Sequence, residues 1–388
     1  MSGGATLPEA ETRAVSALLA QAWGPGAEIR GVAPIWRRRH VLRLGVSQGR
    51  SVVMKRRGEQ AGERQARVFG IELAALEYLN AMPAPVAPQL VAADAQAGIL
   101  LMEDLGPGPS LADALLAGDR ERAQADLVSY AEALAAMHAW SMERPGELAG
   151  LRARYAPGAP LSPSWLEALA HSREGFLAAV AGLGLASGGV SAEIEELPYL
   201  LNGPGYLGLV HGDACPDNMR FRAGGCRIFD FETSGWGPFA LDAAYLLAPF
   251  PSCWCFARLP ADVADPALAA YRARVQAAGI ELGAAWEAAL AAAVATWIVA
   301  RGPMITRVLQ EDRDWGTTTL RPRLLTWLGS LIGACGRAGV LPSLRALAEA
   351  LADELGRRWP QAAVPDYPAL AGPGSVRVQV PEWWQPEA

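Results

Sequence analysis

Two short acidic segments in a mostly helical stretch of sequence constrain the fold of this chain more than any other feature. Residues 211–218 read H-x-D-x-x-x-x-N after the apolar segment 207–210, and Asp230 follows Asn218 by twelve residues at the end of a second apolar segment. Phosphoryl transfer needs a carboxylate that accepts the proton of the attacking hydroxyl, and oxygen ligands for the Mg²⁺ that bridges nucleotide phosphates. Asp213, Asn218 and Asp230 supply that set, so the pattern indicates phosphoryl chemistry.

Lys55 is the only lysine among the 34 basic residues of the chain. A compact ammonium is not interchangeable with a planar guanidinium, and Lys55 lies in a predicted strand where a lysine can steady the α- and β-phosphates of a nucleotide. Such a lysine requires a carboxylate on the following helix, where Glu72 and Glu77 compete. Glu72 shares a face with the apolar residues of that helix, whereas Glu77 lies about 140° around it. The spacing favours Glu72 as the partner, with a solvated surface glutamate as the alternative.

Hydrophobic periodicity predicts an α+β fold, in which a small sheet is followed by helices. An amphipathic helix over 8–22 precedes the sheet, a helix over 65–80 interrupts it, and the Gly/Pro-rich residues 106–109 end it. The predicted antiparallel strands are 28–33, 40–46, 50–55, 90–93 and 99–102. Further helices are predicted over 111–117, 121–141, 164–184, 191–202, 240–248, 265–278, 283–309, 319–338 and 342–358. The proline-containing residues 362–388 have no helical pattern, and 375–380 are predicted to add an edge strand.

These residues resemble the aminoglycoside phosphotransferase family, the small-molecule branch of the protein-kinase-like fold. Besides the two acidic segments, the resemblance rests on residues 51–55, 68–79, 100–106, 132–138 and 241–245. It implies a bilobal fold with a small five-stranded antiparallel N-lobe, a large mainly helical C-lobe and a nucleotide in the cleft. The implied organisation is an N-terminal helix at 1–24, the N-lobe at 25–105, the C-lobe with catalytic loop and acceptor pocket at 106–361, and a tail at 362–388.

The resemblance also implies a reaction, in which the γ-phosphoryl group of ATP or GTP moves to a hydroxyl of a sugar, metabolite or natural product. Asp213 corresponds to the catalytic base, and Asn218 and Asp230 to the Mg²⁺ ligands. His211 corresponds to a residue that shapes the loop behind them.

The nucleotide is expected to contact residues of the small lobe. Lys55 and Glu72 correspond to the family's phosphate-binding pair, and the backbone near Glu103, Asp104 and Leu105 corresponds to the hinge that binds adenine.

Two further residues are expected to have structural roles. His138 is interpreted as a buried histidine, and Asp242 as a carboxylate that ties the loop backbone.

The loop between the first two strands departs from the family pattern, because residues 33–40 contain no glycine. Backbone amides approach phosphates less easily there. Arg37, Arg38 and Arg39 either bind phosphate oxygens with their guanidinium groups or form a solvated basic turn. The sequence leaves open which of ATP and GTP is the donor.

The acceptor is expected to be a small molecule. Asp230 and Asp242 are only twelve positions apart, which leaves no room for the long activation segment on which a protein kinase docks its substrate. Four tryptophans of the C-terminal half are candidates either for a ring-stacking wall or for core packing: Trp254, Trp286, Trp297 and Trp315.

Charge and apolarity argue against nucleic acid and membrane partners. The formal net charge is −6, and the most apolar stretch, 288–300, is shorter than the roughly 20 residues that a bilayer requires. The opening residues lack a secretion signal, so we expect a cytoplasmic protein with reduced thiols. Five cysteines without paired spacing indicate neither a disulfide framework nor a zinc site.

Two other functions compete with the small-molecule kinase. One is a catalytically silent pseudokinase that acts as a binding module, and the other is a kinase-fold enzyme that modifies a protein. Retention of Asp213, Asn218 and Asp230 argues against the silent module, because it has no chemical need for all three.

Overall fold

The computed structural model describes residues 6–35, 40–57, 62–203 and 205–384. The chain divides into two compact units. The smaller consists of Met1–Pro107, Gly146–Leu161 and Arg227–Thr233, and the larger of Gly108–Pro145, Ser162–Cys226 and Ser234–Ala388.

The smaller unit contains the predicted five-stranded antiparallel sheet. Its strands are β1 (Ile29–Pro34), β2 (Val41–Val46), β3 (Arg50–Arg56), β4 (Leu90–Asp94) and β5 (Ile99–Glu103), in the order β1-β2-β3-β5-β4. Lys55 on the central strand β3 pairs with Val41 on one side and Leu100 on the other. Side chains alternate between the faces of a strand, so Lys55 points away from the face on which Val52 and Met54 join the apolar core.

Two helices accompany this sheet. The first, α1 (Glu9–Trp23), contributes Val15, Leu18 and Leu19 to the same apolar core. The second, α2 (Glu63–Leu79), approaches the backbone near Tyr155 so closely that a Cβ at Gly70 would lie 2.0 Å from the Tyr155 carbonyl oxygen. Glycine at this position therefore sets the distance between α2 and that segment.

The remainder of the chain is mainly helical. Its helices are α3 (Leu111–Leu116), α4 (Arg120–Ser141), α5 (Pro145–Tyr155), α6 (Ser164–Ala181), α7 (Val190–Leu201), α8 (Ala240–Ala243), α9 (Ala261–Ala277), α10 (Ala285–Val299), α11 (Pro303–Gln310), α12 (Leu320–Ala338) and α13 (Pro342–Arg358). The short strands are β6 (Leu207–Val210), β7 (Met219–Arg222), β8 (Gly225–Ile228), β9 (Gly235–Pro238), β10 (Asp314–Trp315) and β11 (Thr318–Thr319). β6 pairs with β9, and the catalytic loop predicted from the sequence begins where β6 ends.

Several predicted elements were wrong. The helix over 283–309 is two helices, α10 and α11, because Pro303 begins a new helix and a Cβ at Gly302 would lie 2.4 Å from the Phe176 side chain. The helix over 240–248 is the short α8 followed by a 3-10 turn over Ala244–Leu246. The edge strand over 375–380 is absent from the described chain, where Arg377 makes only an isolated bridge to Asp366. Helix α5 was not predicted.

No single helix of the described residues is long and apolar enough to cross a membrane. In that part of the chain, only α10 and α11 taken together have the length and apolar composition of a membrane span. The two helices are bent by 52° relative to each other. Twelve residues of α10 are buried inside the protein.

Candidate active site

Lys55, Glu72 and Asp230 meet inside the smaller unit. The Nζ atom of Lys55 lies 2.6 and 2.7 Å from the two carboxylate oxygens of Glu72 and 2.5 Å from Oδ1 of Asp230. None of the three residues is more than 9% exposed. The other candidate, Glu77, instead accepts a hydrogen bond from the Tyr155 hydroxyl at 2.6 Å. The structure therefore pairs Lys55 with the glutamate that the helical spacing favoured.

The backbone at Asp230 is in the left-handed region, with φ of 70°. Aspartate tolerates this conformation better than most residues, and such backbone conformations occur often at functional sites. The turn aims the carboxylate at Lys55.

The cluster has more negative than positive charge. Burial alone would lower the pKa of Lys55, but the charges of Asp230 and Glu72 outweigh it and raise that pKa above its ordinary value. Burial raises the pKa of Glu72 to about 7, although the charge of Lys55 opposes the rise. One ammonium thus faces two buried carboxylates, and this imbalance favours a further cation.

A third carboxylate extends this cluster toward a metal-binding arrangement. Glu232 places an oxygen within 4.8 Å of oxygens of Glu72 and Asp230. Several hard oxygen ligands with a net negative charge fit a divalent cation such as Mg²⁺. The sequence prediction included Asp230 but not Glu232 as a ligand, although its position two residues after Asp230 was a usable signal.

The predicted catalytic loop lies in the larger unit and is held by a buried carboxylate. Asp242 is fully buried and accepts hydrogen bonds from the backbone amides of His211, at 2.6 Å, and Gly212, at 3.0 Å. Its Oδ2 also lies 3.1 Å from Nε2 of His138, whose Nδ1 is 2.7 Å from the Tyr271 hydroxyl. This geometry fits the structural roles expected of Asp242 and His138.

Asp213 and Asn218 are joined within the loop itself. The amide of the Asn218 side chain donates to the Asp213 carbonyl at 3.0 Å, and the Asp213 backbone amide donates to Nδ1 of His211 at 3.2 Å. His211 and Asn218 therefore fix the turn that presents the Asp213 side chain.

Two residues that the sequence did not single out contact Asp213 or its partner. The Ser252 hydroxyl donates to Oδ1 of Asp213 at 2.5 Å, and the Tyr245 hydroxyl lies 2.9 Å from the same serine oxygen. Tyr245 is fully buried. Ser252 follows Asp213 by 39 residues, and no local pattern identified it.

A disulfide joins Cys215 of the catalytic loop to Cys253, with the two Cα atoms 5.7 Å apart. The expectation of fully reduced thiols without a disulfide is therefore wrong for this pair. The two cysteines are 38 residues apart in sequence, and pairing at such a separation depends on tertiary structure rather than on spacing. Cys226, Cys255 and Cys335 are buried free thiols.

The predicted adenine-binding hinge has two backbone amides without an acceptor among the described residues. The Glu103 amide donates to the Gln89 carbonyl at 2.8 Å, and the Asp104 carboxylate binds Arg43 Nε at 2.8 Å. The Asp104 and Leu105 backbone amides make no hydrogen bond to any described residue.

The arginine loop was the other region expected to contact the nucleotide. Arg37, Arg38 and Arg39 lie outside the described residues, so the proposed phosphate contacts of that loop stay a prediction.

The four candidate tryptophans separate into two pairs. Trp286 and Trp297 are fully buried and pack in the core. Trp254 and Trp315 are partly exposed, and Nε1 of Trp254 donates to the Asp217 carboxylate of the catalytic loop at 2.8 Å. A ring-stacking wall built from all four is therefore wrong.

Arg301 is a polar group in the same unit. Its guanidinium lies over the rings of Trp165 and Trp297, at 4.6 and 5.2 Å from their centroids. Burial lowers its pKa to about 10.

Comparison with known proteins identifies related sequences and folds. The sequence model of the phosphotransferase enzyme family (APH) matches residues 28–291. The chain superposes on choline kinase from Cryptosporidium parvum with a TM-score of 0.50 and 14% identity, over 87% of this chain and 99% of that one. A putative fructosamine-3-kinase from Thermobifida fusca gives a TM-score of 0.48 and 20% identity, over 86% and 98%. A search of curated proteins by sequence finds no match.

The superposition on choline kinase confirms the predicted α+β, protein-kinase-like fold. At this level of identity the likeness concerns the fold, and the chemistry has to be argued from the residues of this chain.

Proposed function

Because this chain belongs to the APH phosphotransferase enzyme family, we propose that it transfers the γ-phosphoryl group of ATP or GTP to a hydroxyl of a small molecule. The observation that carries this proposal is the buried contact of Lys55, the only lysine of the chain, with both Glu72 and Asp230. A buried ammonium between two carboxylates is suited to bind phosphate oxygens, because the carboxylates keep it charged and fix its position.

The nucleotide is bound by charged and backbone groups. Lys55 holds the α- and β-phosphates, and the Leu105 amide donates to the adenine ring. Asn218 and Asp230 would hold Mg²⁺, which when bound neutralises charge on the phosphate oxygens. The carboxylates of Glu72 and Glu232, with oxygens within 4.8 Å of an Asp230 oxygen, support a cation at Asp230.

Asp213 acts as the general base. It accepts the proton of the acceptor hydroxyl while that oxygen forms a bond to the γ-phosphorus, and the bond from the γ-phosphorus to the bridging oxygen breaks to release the nucleoside diphosphate. The hydrogen bonds from Asp242 to the loop backbone and from Ser252 to the Asp213 carboxylate support this role, because a base must be held in a fixed geometry.

The acceptor is a small molecule because the segment between Asp230 and Asp242 is too short for a protein-docking activation segment. Arg301, partly exposed among tryptophan rings, is available to fix a polar group of the acceptor.

Calorimetry of nucleotide binding tests the first step without knowledge of the acceptor. We expect ATP or GTP to bind wild type in a Mg²⁺-dependent manner, and Asp230→Ala to lose that dependence. The matched control is Asp265→Asn, which alters an exposed carboxylate of α9 and should bind as wild type does. Absence of binding to either nucleotide would instead favour the silent binding module.

Asp213→Asn tests the chemical step. The variant should bind nucleotide as wild type does and lose phosphoryl transfer to acceptors found in a panel of hydroxyl metabolites, by about 10²-fold or more. Normal turnover would exclude Asp213 as the base. Mass spectrometry of both metabolites and added proteins shows which of them gains the phosphoryl group, and a gain confined to protein would refute the small-molecule assignment.

A further inference from the structure

The disulfide and the Ser252 hydrogen bond connect the same two segments beside Asp213. Cys215 follows Asp213 by two residues, and Cys253 is the immediate neighbour of Ser252. The Cys215–Cys253 bond therefore lies next to the 2.5 Å contact from Ser252 to the Asp213 carboxylate. A covalent link at this place restricts how far the serine hydroxyl can move from the carboxylate.

The segment that carries Ser252 is itself fixed by a buried arginine. Arg323, fully buried on α12, donates to the carbonyls of Cys253, at 2.7 Å, and Trp254, at 2.9 Å. The Thr317 hydroxyl also donates to the Trp254 carbonyl, at 3.1 Å. This side of the disulfide is therefore anchored in the core, and the disulfide transmits that anchoring to the catalytic loop.

Every free thiol of the described residues is buried, and none is exposed to attack the disulfide. Cys215 and Cys253 are 4% and 1% exposed, so only small reductants reach them. The free thiol of Cys255 lies two residues from Cys253, but burial raises its pKa well above the ordinary value and keeps it a weakly nucleophilic thiol. The intact disulfide is therefore protected from exchange with its neighbour.

We propose that Ser252 is a positioning residue for the base Asp213 and that the Cys215–Cys253 disulfide holds it in place, so that the oxidised protein has the higher turnover. This inference rests on the proposed function, because it assumes that Asp213 is the base. A dithiol reductant would break the disulfide by donating two electrons and two protons, giving two cysteine thiols while its own thiols form a disulfide. The unbonded sulfur atoms must then separate, which displaces Ser252 relative to Asp213.

The first measurement establishes the redox state without any assay of activity. Alkylation of the denatured protein, followed by intact mass spectrometry, should label three of the five cysteines before treatment with dithiothreitol and all five after it. Five labelled cysteines in protein prepared without reductant would overturn the proposal.

The second measurement follows turnover of Mg²⁺-ATP with water as the acceptor, by release of inorganic phosphate. Reduction should lower kcat about tenfold or more and leave the KM for ATP unchanged within about twofold, because the disulfide acts on the base and not on the nucleotide site. Ser252→Ala should reproduce this loss, and Ser252→Thr, which keeps the hydroxyl, should recover most of the turnover.

Combining reduction of the disulfide with Ser252→Ala shows whether the disulfide affects turnover through Ser252. If the disulfide acts through Ser252, reduction of Ser252→Ala should cause no further loss. Independent, multiplying losses, or a kcat that reduction leaves unchanged, would overturn the inference while leaving the proposed function intact. Absence of turnover in oxidised wild type, both with water and with every acceptor of the metabolite panel, would overturn the proposed function itself, and the positioning role with it.

Discussion

Replacement of Asp242 by asparagine tests how the catalytic loop is held. Both carboxylate oxygens are occupied: Oδ1 accepts from the Gly212 amide at 3.0 Å, and Oδ2 accepts from the His211 amide at 2.6 Å. Asn has nearly the same size but must place its NH₂ group toward one of these N–H donors. In either orientation a charge-assisted hydrogen bond is lost and a backbone donor in a fully buried place is left without an acceptor.

The expected cost follows from those two losses. A hydrogen bond to a charged group contributes about 1.5–3 kcal/mol, and an unsatisfied buried donor costs about 1–3 kcal/mol, with overlap between the two. We therefore expect Asp242→Asn to lower the free energy of unfolding by about 3 kcal/mol, measured by urea titration of tryptophan fluorescence. The control Asp265→Asn, on the exposed surface of α9, should change it by less than about 0.5 kcal/mol. A loss below about 1 kcal/mol in Asp242→Asn would refute the reasoning that this carboxylate fixes the loop.

Four further substitutions, one of them a control, test other parts of the structure. Lys55→Arg should reduce phosphoryl transfer by about 10²-fold, because a larger guanidinium displaces the phosphate-binding charge by about an ångström, and near-normal kcat would contradict this role. Gly316→Ala should lower the free energy of unfolding by about 3 kcal/mol or more, since φ is +69° and the new Cβ would lie 2.1 Å from a backbone carbonyl oxygen. Gly279 has a φ of +85° and open space around it, so Gly279→Ala measures the backbone strain alone and should lower the free energy of unfolding by only about 1 kcal/mol. Equal losses of stability in the two variants would show that the close contact at residue 316 is relieved without cost. Although burial opposes it, hydrogen bonding with Arg258 lowers the pKa of Asp366, so its stabilisation is present above the unfolded pKa near 4 and disappears as the pH falls through the folded pKa. Asp366→Asn should therefore lower urea stability by about 1 kcal/mol at pH 7 but not near pH 2, and a pH-independent difference would exclude this ion pair as the cause.

Local pattern was sufficient to predict the sheet of the smaller unit. The strands are short runs rich in β-branched or apolar residues and are separated by polar or glycine-containing turns, so each was recognisable without its partners, and the structure has all five within a few residues of the predicted bounds. The break between α10 and α11 had a local signal in Gly302-Pro303 that the prediction passed over, and the close approach of Phe176 to Gly302 became visible only in the structure. Helical periodicity in the sequence continues across that point.

The candidate site shows the same division between local and long-range information. Glu72 was selected over Glu77 from helical spacing alone, and the structure places Glu72 against Lys55. Ser252 had no signal, since a single serine between predicted helices has many ordinary roles, and Tyr245 entered only as the last residue of the segment 241–245, with no role of its own. They belong to the site because the fold places Ser252 beside Asp213 and Tyr245 beside Ser252.

The sequence by itself determined the residue types available for chemistry and the local elements that carry them, because strand and helix periodicity and the loop motif depend on neighbours a few positions apart. Only the tertiary structure decided which distant groups meet: Lys55 with Asp230 across 175 residues, Ser252 with Asp213 across 39, and Cys215 with Cys253 across 38. Such contacts depend on how loops close and elements pack, and the free energy of closing a loop depends only weakly on its length. The sequence therefore indicates which residues can react, and packing selects the ones that hold them in place.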